Sequence, residues 1–198
     1  MNTCGRVPIA MDDDKTLVRR ALRGDRKAFE MIVVRYQQPM MNYLGRVLGE
    51  RELCLDFAQD IFLKAYASLR SYKPAYKFST WLFKIASNHV IDHWRKKGLR
   101  PVSLDHTLEA DPEGSLTPQV ADTAPSVARK YELAELRRQA ETALTKIPAA
   151  LRELFVLRHV NDLSYEEIAD IKGLPVGTVK NRVFQAKEMI RRNMGGGS

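Results

Sequence analysis

"LSYEEIADIKGLPVGTVKNRVFQAK", Leu163 to Lys187, holds two helices and the turn between them, and its reading decides the fold. Ser164 followed three residues later by Glu167 forms a capping box, in which each side chain satisfies an orphan N–H at the helix start. Leu163 and Ile168 stand in the positions of a hydrophobic staple around it. Gly173 supplies the left-handed residue that ends this helix, and Pro175 lies at the start of the next. Val176, Val179, Val183, Ala186 and Ile190 then recur at helical spacing as one buried stripe. A short helix, a tight glycine turn and a second amphipathic helix make a helix-turn-helix. A preceding helix, opened by Pro148 and carrying Leu151, Leu154, Phe155 and Val160, completes a small core.

The second helix is the one whose N-terminal end faces base edges when such a unit enters a major groove. Lys180, Asn181 and Gln185 on its polar face are donors able to read purine edges. Thr178 and Phe184 suit thymine methyls or the backbone, while Lys172, Arg182, Lys187, Arg191 and Arg192 suit phosphates. The alternative is a helical hairpin whose charged face only keeps it soluble. Capping box, turn and basic second helix occur together, and that coincidence favours DNA binding.

Upstream, residues 101–126 carry four prolines, five acids and no Lys or Arg, which reads as an extended acidic linker. Before it, residues 12–98 show helical apolar spacing and no alternating strand pattern. Four helices are expected there, the second kinked or split before Pro39. The expected fold class is therefore all-α: a helical bundle (12–98), a flexible linker (99–128) and a helix-turn-helix domain (129–194). A short extension (1–11) precedes them, and the terminal "GGGS" (195–198) reads as an appended linker. A formal charge of +8 over 198 residues favours a polyanionic partner without specifying one. Cys4 and Cys54 are far apart and suit reduced thiols, and no apolar run reaches membrane-spanning length. A cytoplasmic protein without membrane insertion is expected.

The bundle presents two chemically different faces. Its third helix buries Phe57, Ala58, Ile61, Ala65 and Leu69 and turns Glu52, Asp56, Gln59 and Asp60 outward. DNA repels such a strip, so it is either a protein-docking face or simply a solvated one. Next comes "RSYKPAYKFST", in which Tyr72, Tyr76 and Phe78 alternate with Arg70, Lys73 and Lys77. The fourth helix continues with Trp81, Lys84, Asn88, Asp92 and Arg95 at helical spacing. Aromatics interleaved with cations suit single-stranded nucleic acid, where bases stack and phosphates pair with cations. The competing reading makes Phe78, Trp81 and Trp94 core residues and Asp92–Arg95 an ordinary i,i+3 pair.

Three motifs, in this order and spacing, resemble the extracytoplasmic-function class of bacterial sigma factors. They are D-x-x-Q-D-x-F at Asp56, Gln59, Asp60 and Phe62, then "FSTWLFKIASN", then "LSYEEIADIKGLPVGTVKNRV". The resemblance spans about residues 12–192 and implies a transcription initiation factor that carries core RNA polymerase to specific promoters. It implies that Asp56, Gln59, Asp60 and Phe62 dock on the clamp helices of the largest polymerase subunit, with a further contact to the flap of the second-largest. It implies that Tyr72, Tyr76, Lys77, Phe78, Trp81, Lys84, Asn88 and Arg95 capture the melted minus-ten element. It also implies that Thr178, Lys180, Asn181, Arg182, Phe184, Gln185 and Lys187 read the minus-thirty-five duplex. An inhibitory anti-sigma partner is implied as well.

Two positions depart from the family pattern: Gln185 where many relatives carry Arg, and Lys172 where an apolar residue is commoner. The competing functional class is a stand-alone helix-turn-helix regulator, which has no use for the acidic strip. An enzyme is not expected, nor a cofactor: His89 and His93 lie i,i+4 without the glutamate of H-E-x-x-H, and no phosphate loop or nucleophile elbow is present.

Overall fold

The computed structural model describes residues 13–98 and 127–195, so the linker, the N-terminal extension and the last three residues lie outside the described residues. Eight α-helices and one 3-10 turn account for the described chain, and it contains no strand. The first unit comprises α1 (Asp14–Leu22), α2 (Arg26–Leu48), α3 (Arg51–Ala67), the 3-10 turn Leu69–Ser71 and α4 (Phe78–Lys96). The second comprises α5 (Val127–Thr145), α6 (Ala149–His159), α7 (Tyr165–Lys172) and α8 (Val176–Gly195).

Local chemistry starts and stops these helices. Asp13 caps α1 by accepting from the Thr16 N–H at 2.8 Å, and Asp25 caps α2 through Ala28 at 3.3 Å. Asp14 accepts from Arg35 and from the Tyr36 hydroxyl, tying α1 to α2. Burial, followed by that carboxylate, pushes the Tyr36 phenol well above its ordinary value and keeps it a donor. Gly49 ends α2 at φ 84°, a conformation costly to any residue with a Cβ. Of the kink or split expected before Pro39, the split does not occur: α2 runs through the proline. Packing of Met40, Tyr43, Leu44 and Val47, all fully buried beyond the proline, holds the helix together there.

In the second unit the capping box is present: Glu167 N–H donates to Ser164 Oγ at 3.1 Å and Ser164 N–H to Glu167 Oε2 at 2.8 Å. Leu163 and Ile168 are both buried beside it, and Gly173 has φ 63°. Pro175 sits just before α8 rather than inside its first turn, its carbonyl accepting from Val179 at 3.1 Å. Val179, Val183, Ala186 and Ile190 form the buried stripe of α8, which packs on α5, α6 and α7.

The two units do not stand apart. Helix α6 lies against α2, and α7 lies against α4. Along this seam Tyr43, Ser87 and Lys172 all point at Glu153, whose side chain is 1 % exposed.

Candidate nucleic-acid interface

A cleft of about 260 Å³ opens between the 3-10 turn and the first turns of α4, lined by Ser71, Tyr72, Lys73, Tyr76, Thr80, Trp81, Lys84 and Asp170. The chain before α4 folds over itself to make it: the Tyr72 hydroxyl donates to the Tyr76 carbonyl at 2.8 Å and closes the loop. Tyr72 packs against Phe78 and Trp81, with ring centroids 5.4 and 5.7 Å away, and Trp81 stands at 5.4 Å from Phe78. Tyr76 is exposed and Trp81 half-buried, so two aromatic rings are accessible beside Lys73, Lys77 and Lys84. Asn88 and Arg95 are exposed farther along α4, Arg95 paired to Asp92 at 2.7 Å.

The resemblance groups Phe78 with the strand-binding residues, and the fold buries it. It is 1 % exposed, and its ring is walled in by Tyr36, Tyr72 and Trp81. It supports the cleft from beneath. Trp94 is likewise core.

On α3, Asp56, Gln59 and Asp60 are exposed, but Phe62 is 8 % exposed and buried with Ile61 on the inner stripe. Most of its ring therefore packs on the core, with a small part left at the surface. The outward face contains two residues the motif did not single out, Leu55 and Leu63, 56 % and 60 % exposed. Their i,i+4 spacing around Gln59 was a readable signal, and exposed leucines beside acids suit a protein surface better than a nucleic acid. His89 reaches this helix from α4, its Nδ1 accepting from Lys64 at 2.5 Å and its Nε2 lying 3.6 Å from Asp60. Its ring and that of His93 pack edge-on against Phe57. Among the described residues no three His, Cys, Asp or Glu side chains converge as metal ligands would.

On α8, Lys180 and Phe184 are exposed, while Thr178, Asn181, Arg182, Gln185 and Lys187 are half-buried around the helix outside its buried stripe. Lys180 lies 5.7 Å from the Tyr165 ring centre and Arg158 4.8 Å from it, so two cations flank one aromatic at the turn. All seven predicted readers thus share one helix, whose first turn follows directly on the Gly173 turn.

Lys172 is a correction. Its ammonium does not face a phosphate but donates to Glu153 Oε2 at 2.7 Å and to Ser87 Oγ at 3.0 Å, with the side chain 12 % exposed. Glu153 completes its shell by accepting from Tyr43 at 2.9 Å and Ser87 at 2.7 Å. Thr80 and Lys77 reach across the same seam to Glu167 Oε1, at 2.9 and 3.2 Å. Burial raises the Glu167 carboxyl, but hydrogen bonds from Ser164, Thr80 and Lys77 outweigh it and hold the group below its ordinary value.

Comparison with known proteins decides what these surfaces belong to. Residues 32–100 match Sigma-70 region 2, and residues 137–190 match Sigma-70 region 4. The chain is 36 % identical over 180 residues to the ECF RNA polymerase sigma-E factor of Escherichia coli strain K12, covering 89 % of this chain and 92 % of that one. It is 34 % identical over 182 residues to the RNA polymerase sigma-H factor of Pseudomonas aeruginosa, covering 92 % and 94 %. The chain belongs to the extracytoplasmic-function sigma factors.

As a sigma factor it directs RNA polymerase to promoters, and two sigma regions on one chain leave a stand-alone regulator unfavoured. Its fold is similar to CnrH in complex with the cytosolic domain of CnrY, with a TM-score of 0.65 at 25 % identity, covering 94 % of this chain and all of that one. A second similar structure is the sigma factor RpoE in complex with the anti-sigma factor NepR from Bartonella quintana, at TM-score 0.62 and 22 % identity, covering 87 % and 99 %. Among the described residues of this sigma factor, no helix is long and apolar enough to cross a membrane.

Proposed function

We infer that this sigma factor divides promoter recognition between its two units and leaves bond chemistry to the polymerase. The observation that carries the reading is the cleft at Tyr76 and Trp81: two accessible rings among lysines, on the unit opposite the groove-reading helix. Bases of the melted minus-ten element stack on Trp81 and Tyr76, and Lys73, Lys77 and Lys84 neutralise the adjacent phosphates. Asn88 and Arg95 extend the track along α4. Lys180, Asn181 and Phe184 at the start of α8 read the minus-thirty-five duplex, with Thr178, Arg182, Gln185 and Lys187 setting register on its backbone.

The α3 face of Asp56, Gln59 and Asp60, flanked by Leu55 and Leu63, docks on the clamp helices of the polymerase. A second contact with the flap belongs to the C-terminal unit. Action in the cytoplasm, control by an inhibitory anti-sigma protein, and the unit boundaries at 12–98 and 129–194 belong to the same reading.

Run-off transcription with core polymerase, mapping the start sites used, tests this directly. The Asp56→Lys, Asp60→Lys double variant is expected to bind core polymerase about tenfold or more weakly, because opposite charges at a docking face become repulsive. Both carboxylates are exposed and only the 3.6 Å approach of Asp60 to His89 is lost, so its melting temperature should fall little. Parental affinity in the double variant would remove α3 from the polymerase interface.

A further inference from the structure

Neither the strand cleft nor the reading helix uses the i,i+4 histidines of α4, His89 and His93. Both turn toward α3, where their rings pack edge-on against Phe57 with centroids 4.5 and 5.0 Å away. His89 reaches farther, to the rim of the acidic face. Its side chain is only 14 % exposed and lies between two residues that stand i,i+4 on α3, Asp60 and Lys64. Nδ1 accepts from the Lys64 ammonium at 2.5 Å, so the neutral ring carries its own hydrogen on Nε2, the nitrogen that faces Asp60 at 3.6 Å. One imidazole thus offers an acceptor to the cation and a donor to the anion.

Protonation breaks this arrangement. An imidazolium has two N–H groups and no acceptor, so Nδ1 loses its bond to the lysine and the two cations repel. The ring is held against Phe57 and largely buried, whereas Asp60 is 59 % exposed and Lys64 lies at the surface, so these two residues are the ones that move. Lys64 is pushed outward and Asp60 is drawn onto Nε2. A face that presented Asp56, Gln59 and Asp60 then gains a positive charge, and one of its carboxylates is paired internally. Such a change opposes a partner whose charge complements the acids. We propose that His89 is a positioning residue for the polymerase-docking face: the neutral ring sets Asp60 and Lys64, and its protonation weakens docking. The proposal rests on the reading of α3 as that face. The other charged or titratable groups about the ring lie on its own helix, Asp92 favouring protonation and His93 disfavouring it. Burial and Lys64 outweigh the two aspartates, so the neutral form persists below the ordinary value of 6.5.

The sign follows by linkage. Docking is at full strength above pH 6.5 and weakens as pH falls through the lower value of the folded chain. The measurement is the affinity of the full chain for core RNA polymerase from pH 7.5 to 5 at fixed salt. His89→Gln is the reference, since its amide accepts from Lys64 and donates toward Asp60 but takes up no proton. Dividing the parent's affinity by that of His89→Gln cancels titration of the polymerase. This ratio should be constant near pH 7.5 and fall about threefold or more by pH 5, the limit for one proton being about tenfold per pH unit. A purely structural His89 would weaken His89→Gln equally at every pH. Lys64→Met, at an exposed position, removes a cation that opposes protonation, so its loss of affinity should begin at higher pH. Nuclear magnetic resonance of His89 in the free chain should show the same upward shift in Lys64→Met and a downward one in Asp60→Asn.

A constant ratio across the range overturns the proposal and leaves the docking face intact. So does a Lys64→Met profile that matches the parent's, or a His89 titration that both substitutions leave unmoved. Should His89→Gln lose its helical circular dichroism, Lys64→Met carries the test, because its shift needs no change to the ring. Parental affinity in the Asp56→Lys, Asp60→Lys variant would instead show that α3 does not dock, and the proposal falls with that reading.

Discussion

The interiors of the two units and the seam between them are equally buried and share one continuous apolar core, but the seam alone adds enclosed polar groups to it. Inside the first unit, Ile32, Leu44, Ile61, Leu82 and Val90 are fully enclosed hydrocarbon, and inside the second Leu157, Ile168 and Val179 are the same. At the seam a carboxylate, an ammonium, two aliphatic hydroxyls and a phenol are enclosed as well. Burial and the neighbouring Glu153 push the Tyr43 phenol well above its ordinary value, so it stays a donor throughout the working pH range. Hydrocarbon interiors lose stability when opened, because apolar surface returns to water. The polar groups of the seam lose less on opening, because they rehydrate. The contrast separates what must stay folded from what is built to come apart.

The largest effect expected of that contrast is a core deletion. Ile61→Ala removes buried hydrocarbon from α3 and should cost about 2–5 kcal/mol, since a cavity inside a unit cannot be relieved by moving the units apart. Urea denaturation followed by circular dichroism measures it. Lys172→Met, equally central on the map of the molecule, should cost far less in the same experiment and show itself in size instead. Equal losses in the two variants would mean that the seam is simply more core, and the comparison would collapse.

Helices and their ends were legible in the sequence because their causes are local. Ser164, Glu167 and Gly173 act within ten residues of one another, and the α8 stripe is a single period repeated. Contact surfaces were legible only in part. Motif membership grouped Phe62 with Asp56 and Phe78 with Tyr76, although helical period already placed Phe62 beside Ile61 on the inner face. The seam was scarcely legible. Glu153 lies in "AALRELFVLRH", where a single acid reads as solvated, and its partners Tyr43 and Ser87 stand 110 and 66 residues away. Only the unusual Lys172 hinted at it, as a cation at a position where an apolar residue is commoner.

Glu167 belongs to both halves of the comparison, which allows a finer test. One of its oxygens serves the capping box through Ser164, and the other serves the seam through Thr80 and Lys77. Ser164→Ala should lower the stability of the second unit by about 1 kcal/mol, the ordinary value of an N-cap. Thr80→Val removes only the seam bond and should change stability by less than about 0.5 kcal/mol while extending the molecule in scattering. If Thr80→Val destabilises the chain as much as the cap variant does, Glu167 is acting as one structural group and not as a hinge between two.

The smallest expected effect concerns acid and a residue remote from the seam. Burial, reinforced by the Lys64 ammonium, holds His89 below the ordinary histidine value of 6.5, although Asp60 and Asp92 oppose the shift. Protonating Nδ1 also forfeits the bond it accepts from Lys64. The unfolded chain therefore takes up its proton first as pH falls below about 6.5, and the folded state loses stability until its own lower value is passed. Above 6.5 the contribution is complete. A series of thermal melts from pH 7.5 to 5 should show this decline, and His89→Gln should flatten it. Because the partners of His89 lie on α3 and α4, the slope should be the same in the Lys172→Met protein as in the parent. A slope that changes on opening would show that proton uptake in the first unit is coupled to the seam, which no contact of His89 explains.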